Sequence, residues 1–129
     1  QATPLGRVAR PFFFGDDDTY RDARFKLTPR MLDSNWVVRK AVGQRPAVLG
    51  KQLKQWYWRG ADYLEIDIDI GSSQIAAGVV RLCGGYAKAL VVDISFVVEG
   101  TRDVELPEPI LGTIQIRNLD VTKGRPLPT

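Results

Sequence analysis

Strict alternation of apolar and polar residues is the strongest local pattern in the chain. Residues 62–70 read DYLEIDIDI, and a period of two residues is typical of a half-buried β-strand. One face of this predicted strand is apolar and the other is acidic. The apolar set is Leu64, Ile66, Ile68 and Ile70, and the acidic set is Glu65, Asp67 and Asp69.

Further short segments are also rich in strand-forming residues. ARFKL (23–27), NWVVRKAV (35–42) and KQLKQWYWR (51–59) are separated by turn residues. Short connections favour antiparallel neighbours, so residues 23–70 are predicted to form an antiparallel β-meander. Prolines, a glycine and three consecutive aspartates predict an irregular opening segment over residues 1–22. A final strand is predicted at 110–121, followed by a loose tail at 122–129.

The pattern changes after Gly71. Apolar residues recur there at steps of three and four without a proline, which predicts one long helix over residues 72–99. Gly84 and Gly85 at its centre indicate a bend, or a place where another backbone or a ligand comes close. The β-branched run in LVVDISFVV (90–98) leaves open that the second half is a strand. Charged residues in the middle argue against a membrane-spanning helix.

Composition limits the chemistry that the chain can perform. At 129 residues and 44% hydrophobic, it is long enough for a single domain with a real core. The sequence has no histidine, the commonest metal ligand and the side chain best suited to proton transfer near neutral pH. Its one cysteine, Cys83, excludes an internal disulfide and a multi-cysteine zinc site. We therefore expect neither an enzyme nor a cofactor.

Charge is distributed unevenly along the chain. Residues 1–60 carry 12 basic and 5 acidic residues, whereas residues 61–129 carry 6 basic and 10 acidic residues, for an overall +3. A basic front half favours anionic lipid headgroups, although oppositely charged, solvated faces of one fold explain it equally well. The chain has no run of basic residues with interleaved aromatic residues of the kind found in RNA-binding proteins, so a nucleic-acid partner is not expected.

Aromatic and basic residues cluster between residues 51 and 59. Such clusters contact membrane interfaces or anions, and the alternative is packing within the sheet. The candidates for membrane or anion contact are Lys51, Lys54, Trp56, Trp58 and Arg59.

The acidic strand face permits two interpretations. Its carboxylates would bind a hard cation if the aspartates near residue 17 added further oxygens, which makes Asp16, Asp18, Glu65, Asp67 and Asp69 the candidates. They would also form cross-strand ion pairs with a neighbouring lysine. We favour the ion pairs, because a metal site needs converging ligands and a single strand face only lines them up. No metal site is therefore predicted.

Five segments in order resemble the C-terminal domain of the plant enhanced disease resistance 2 proteins, a family of plants, algae and some protists. They are GDDDTYRDARFKLTPR, NWVVRKAVGQRPAVLGKQL, YLEIDIDIGSS, GYAKALVVDISFVVEG and ELPEPILGTIQI, and the resemblance covers nearly all of residues 14–118. The family domain extends further at its N-terminal side, so the chain resembles its latter part. In plants the domain follows lipid-binding modules of the pleckstrin-homology and START types. The resemblance implies lipid sensing or transfer at membranes and negative regulation of plant cell death.

Pattern and resemblance together predict an α+β fold in which a twisted antiparallel sheet packs on one long helix in the C-terminal half. START-like lipid binders use this helix-grip plan, here with elements missing at the N-terminal side. An apolar cavity would lie between sheet and helix, although an ordinary filled core uses the same residues. The cavity candidates are Leu64, Ile66, Ile68, Ile70, Val79, Gly84, Gly85 and Tyr86.

Two functions from different classes follow. The first is a lipid-binding or membrane-sensing module, intracellular and peripheral to a cytoplasmic or organellar membrane, with a lipid or anionic membrane surface as partner. The second is a structural or interaction subunit that has no ligand and docks onto protein partners in a larger assembly. A continuous apolar void beside Gly84 and Gly85 would favour the first, and large protein contacts would favour the second.

Overall fold

The fold is mixed α+β with two antiparallel sheets, in a computed structural model that describes residues 3–129. The strands are β1 (Phe25–Asp33), β2 (Ala47–Val48), β3 (Lys54–Arg59), β4 (Leu64–Asp69), β5 (Val91–Val98) and β6 (Ile110–Arg117). The helices are α1 (Pro4–Phe14), α2 (Asp18–Asp22), α3 (Trp36–Val42) and α4 (Gln74–Tyr86).

Strands distant in sequence form the larger sheet, whose order is β2-β1-β5-β6. β1 and β5 are its central pair, with a register from Phe25 opposite Val98 to Asp33 opposite Val91. β3 and β4 form a separate two-stranded hairpin. The prediction of one meander over residues 23–70 is therefore wrong, because β1 gains more pairing from the apolar strand β5 than from its neighbours in sequence.

Two apolar clusters form the core. The first joins α1, β1 and β5 through Val8, Phe12, Phe25 and Val98. The second lies at the other end of the β1–β5 pair. It contains Met31, Val38 and Leu90, with Leu82 and Cys83 of α4 and other half-buried residues packed against it.

The opening segment is helical, contrary to the irregular structure predicted for residues 1–22. The Thr3 side chain accepts a hydrogen bond from the Gly6 amide (3.1 Å) and so caps α1. Pro4 occupies the start of the helix, where its missing N–H costs nothing. Proline here marks a helix start, whereas the prediction took it as a sign of irregular structure.

The segment predicted as a strand at 35–42 instead forms helix α3, which begins at Trp36 after the capping residue Asn35. The Asn35 side chain accepts a hydrogen bond from the Val38 amide (2.9 Å), and Gly43 ends the helix with a φ of 68°. A positive φ is readily adopted by glycine. The broken apolar-polar alternation of this segment was the signal for a helix.

The predicted long helix over residues 72–99 is also wrong. α4 ends at Tyr86, directly after Gly84 and Gly85, and β5 follows a short turn. The two glycines lower helix propensity, and the β-branched residues after them pair between β1 and β6. The strand alternative for LVVDISFVV is confirmed. β6 lies within the range predicted for the final strand.

A buried glutamate ties the loop after β5 to the start of β1. Glu105 is 1% exposed, and its carboxylate accepts hydrogen bonds from the amides of Thr101 (2.8 Å) and Arg102 (3.2 Å). Arg24 lies 3.2 Å from the same carboxylate and also donates to the carbonyl of Glu99 (2.9 Å). The hydrogen bond from the Thr101 amide, with further contributions from Arg102 and Arg24, lowers the pKa of Glu105 to about 2, against the opposing effect of burial.

The Glu105→Gln substitution should lower the free energy of unfolding at neutral pH. The stability of the variant should also change less with pH in the acid range. The folded-state pKa of about 2 is below the ordinary 4.5, so the carboxylate stabilises the fold above pH 4.5, and this stabilisation is lost as the pH falls towards 2. We expect the free energy of unfolding to fall by about 3 to 5 kcal/mol at pH 7, because the buried carboxylate charge that pairs with Arg24 and Arg102 is lost. Urea denaturation at several pH values measures both effects.

Asp103→Asn is the matched control, because Asp103 is exposed in the same turn. If the free energies of unfolding of wild type and Glu105→Gln differ by the same amount at every pH tested, the prediction is wrong.

Candidate functional site

The β3–β4 hairpin carries most of the residues that the sequence analysis selected. Its antiparallel register begins with Lys54 opposite Asp69 and continues without a break to Arg59. The connection is closed by the Gly60 amide, which donates to the carbonyl of Tyr63 (3.0 Å). Alternation along both strands gives the hairpin one face towards the core and one towards solvent.

The inner face of the hairpin packs on the first core cluster. Leu64, Ile66 and Ile68 are half-buried against this cluster, as the alternation predicted. Ile70 lies just beyond the strand in the turn Ile70–Ser72. The structure thus places three of the cavity candidates against packed side chains.

The remaining cavity candidates lie on α4, whose contacts with the core are made through the second cluster. Val79 is half-buried, and Tyr86 is 41% exposed. Gly84 and Gly85 are exposed, and a Cβ atom added to either would meet open space. The cavity candidates of the hairpin therefore lie at the first core cluster, and those of α4 lie near the second. The two glycines face solvent.

A groove of about 530 Å³ opens beside the hairpin turn. Phe14 and Tyr63, which contribute aromatic rings to it, are 73% and 60% exposed. Sequence analysis missed both residues, although a helical period over 4–14 would have separated Phe14 from the buried Phe12. The hairpin groove, as we call it, is lined by Phe13, Phe14, Arg59, Gly60, Ala61, Asp62, Tyr63 and Leu64.

Arg59 fastens the end of α1 to the hairpin. Its guanidinium donates to the carbonyls of Phe14 (2.5 Å) and Gly15 (3.2 Å), and it lies 2.8 Å from the carboxylate of Asp16. The Asp16 side chain is 91% exposed, so this ion pair adds only about 0 to 1 kcal/mol of stability. Its effect is positional: both Asp16 and Arg59 are held at the rim of the groove.

A buried arginine lies beside a smaller pocket of about 160 Å³ that adjoins the groove. Arg21 is 3% exposed, donates to the carbonyl of Phe12 (2.7 Å) and lies 2.6 Å from Asp18. The Tyr57 ring is 5.5 Å from its guanidinium, and the Tyr57 hydroxyl donates to Asp22 (2.7 Å). Burial, followed by the hydrogen bond to Asp22, raises the pKa of Tyr57, so the phenol remains protonated near neutral pH.

The solvent face of the hairpin holds the other candidates. The indole N–H of Trp58 donates to the carboxylate of Asp67 (2.8 Å), which fixes the orientation of the ring. Trp56 and Trp58 are 49% and 56% exposed. The outer hairpin face, as we call it, consists of three cross-strand pairs: Lys54 with Asp69, Trp56 with Asp67, and Trp58 with Glu65.

The predicted series of cross-strand ion pairs between lysines and these carboxylates is wrong, because along the described strands β3 and β4 only one lysine is in register with them. Lys54 is opposite Asp69, but Lys51 lies in the turn before β3, so tryptophans oppose the other two carboxylates. Within residues 3–129, no basic side chain comes within 4.0 Å of these three carboxylates. In the same range, no group of three or more His, Cys, Asp or Glu residues is placed to hold a metal ion.

The structure also bears on the membrane topology of the chain. Across the described residues, no helix combines the length and the apolar character needed to cross a bilayer. The hairpin carries two exposed sets of functional groups. Aromatic rings and the Arg59 guanidinium line the groove, and indoles lie beside carboxylates on the outer face.

Comparison with known proteins identifies the family. The family described as "Protein ENHANCED DISEASE RESISTANCE 2, C-terminal" matches residues 2–120. A curated relative from Arabidopsis thaliana, "Protein ENHANCED DISEASE RESISTANCE 2-like", is 41% identical over 119 residues, which are 92% of this chain and 16% of the relative. No solved structure matches, so the START-like arrangement stays a prediction. The chain belongs to the enhanced disease resistance 2 C-terminal family.

Proposed function

We propose that the chain is a non-catalytic interaction module whose partner is another region of the longer proteins of its family. One observation carries this proposal: α4 packs on the second core cluster only through half-buried residues such as Leu82 and Cys83, and it leaves Ile75 82% exposed. Surface helices of globular proteins normally bury an apolar stripe. Apolar surface left exposed is typical of a site that another protein covers.

The exposed apolar residues of α4 define the first docking surface. Ile75 is 82% exposed, Val80 is 51% exposed and Tyr86 is 41% exposed. Open space above Gly84 and Gly85 allows a partner backbone to approach closely. Ile75 and Tyr86 lie on the same side of the helix, and we call this side the α4 surface.

Strand β6 supplies a second docking surface. It forms one edge of the larger sheet, and Ile110, Leu111 and Ile114 are 62%, 37% and 51% exposed. Edge strands of soluble proteins are usually protected by charges, bulges or a covering element. β6 has a single charged residue, Arg117, at its end. Its backbone edge and its apolar side chains suit pairing with another segment.

Longer family proteins have enough sequence to supply the partner. The chain spans only 16% of the length of its curated Arabidopsis relative. A partner within the same polypeptide also binds at a high effective concentration, which lets modest surfaces associate stably.

The ionisable groups support the non-catalytic part of the proposal. The pKa of Glu105 is lowered to about 2 and that of Tyr57 is raised, so both move away from neutral pH, where a general acid or base works best. Arg21 and Arg24 are both occupied by carbonyls and carboxylates of the chain itself.

Charged substitutions on the two docking surfaces should disrupt association. Isothermal titration calorimetry would measure binding of this chain to the separately purified remainder of a full-length family protein. We expect Ile75→Asp and Ile114→Asp to weaken binding by about 10-fold or more, because each places a charge in an apolar contact. Leu127→Asp, at a position 89% exposed in the C-terminal tail, should bind like wild type. Absence of wild-type binding, or equal binding by all variants, would refute the proposal.

Lipid binding is a second candidate, favoured by the hairpin groove. Its volume of about 530 Å³ falls in the range of small-molecule sites, about 300 to 1,000 Å³. Phe13, Phe14 and Tyr63 offer apolar contact, and Arg59 at the rim offers a positive charge to an anionic headgroup. In this proposal the protein is intracellular and peripheral to a membrane.

Vesicle sedimentation tests the lipid proposal. With phosphatidylcholine vesicles containing phosphatidylserine, Phe14→Ala should reduce binding by roughly 10-fold, because burying a phenylalanine contributes about 1.5 to 3 kcal/mol. Trp36→Ala is the control, since Trp36 is equally exposed (73%) but lies on α3. A wild-type protein that stays in the supernatant would exclude this function.

A further inference from the structure

Exposed indoles of β3 lie opposite carboxylates of β4 on the outer hairpin face. Trp56 and Trp58 leave about half of their surface to solvent, although burying large aromatic residues is strongly favourable. The exposed halves of these two residues, on one strand face, form an aromatic platform that is open to solvent. Tryptophan is also the residue type most enriched at the energetic centres of protein interfaces.

The geometry gives each ring an acidic neighbour. Trp56 is directly opposite Asp67, and Trp58 is opposite Glu65. Residues in direct cross-strand register have Cβ atoms about 4.5 to 5.5 Å apart. The hydrogen bond from Trp58 to Asp67 (2.8 Å) holds one ring in place before any partner arrives. A cation on this surface would therefore contact a fixed ring and a carboxylate at the same time.

The charge of the face selects the partner. Glu65, Asp67 and Asp69 outnumber the single cation, Lys54, so the face is net negative. Such a face repels an anionic membrane and attracts a basic segment. Among basic side chains, arginine fits better than lysine, because its planar guanidinium stacks on indole and pairs with a carboxylate in two parallel hydrogen bonds.

We propose that the outer hairpin face binds an arginine-bearing segment of a protein partner, with guanidinium groups stacked on Trp56 and Trp58 and paired with Glu65 and Asp67. This surface is distinct from the α4 surface and β6, so it goes beyond the proposed docking and does not depend on it.

Titration with a hexa-arginine peptide tests this proposal. In a Trp36→Phe background, Trp56 and Trp58 are the remaining tryptophans, so a change in indole fluorescence reports on the outer hairpin face. We expect a saturable fluorescence change and tighter binding than with hexa-lysine. Glu65→Gln with Asp67→Asn should weaken binding by about 5-fold or more, because two exposed charge pairs are lost. Asn at position 67 still offers an oxygen to the Trp58 indole, so the change isolates charge.

The control is a double variant with the same change in net charge, Asp33→Asn with Asp103→Asn, at two exposed positions away from the hairpin. It should bind hexa-arginine like the parent protein. Equal weakening by both double variants would reduce the effect to nonspecific attraction and overturn the proposal. So would a fluorescence change that anionic vesicles cause and the peptide does not, because the face would then contact membrane. Loss of α4 docking leaves the peptide result unchanged, so the two proposals fail separately.

Discussion

The rest of the structure depends on the packing of apolar side chains, mainly phenylalanines, at one end of the larger sheet. The Phe25 ring stacks on Phe96 at 5.6 Å and on Phe12 at 6.0 Å, so β1, β5 and α1 meet at one point. The apolar residues of β4 pack against the same cluster. Fixing the inner face of the hairpin in this way turns its outer face, with both tryptophans, towards solvent.

Two arginines position the segments around that cluster. Arg21 binds carbonyls at the end of α1, and Arg24 binds the loop after β5 through Glu99 and Glu105. Both are buried or nearly so, and the net contribution of buried ion pairs to stability is often small. We infer that their main contribution is specificity. Arg21 holds the end of α1 beside Tyr57 of the hairpin, and Arg24 holds the loop after β5 against the start of β1.

Residue periodicity predicted those elements whose conformation is set mainly by interactions close in sequence. β4 and its inward residues follow from strict alternation, and β6 from a shorter version of it. β5 is almost wholly apolar and has no clear period, so helix and strand could not be separated before its pairing with β1 was known. α1 and α3 are capped by Thr3 and Asn35, and the prediction did not use these caps because the prolines and β-branched residues around them indicate other structures.

The candidate site was predictable only within single strands. Alternation alone puts the two tryptophans on one face of β3, but their pairing with Asp67 and Glu65 needs the length of the hairpin turn. The groove also needs Phe14, which the helical phase of α1 and the Arg59 contacts bring to the turn. Contacts between distant segments leave no periodic signal in a sequence.

The central claim is that α4 and β6 are surfaces completed by the rest of a longer protein. Amide hydrogen exchange, compared between this chain and the same residues inside a full-length family protein, tests it most directly. The account predicts that Gln74–Tyr86 and Ile110–Arg117 exchange at least about 10-fold more slowly in the full-length protein, with β1 little changed. Equal exchange of both segments in the two proteins would contradict it.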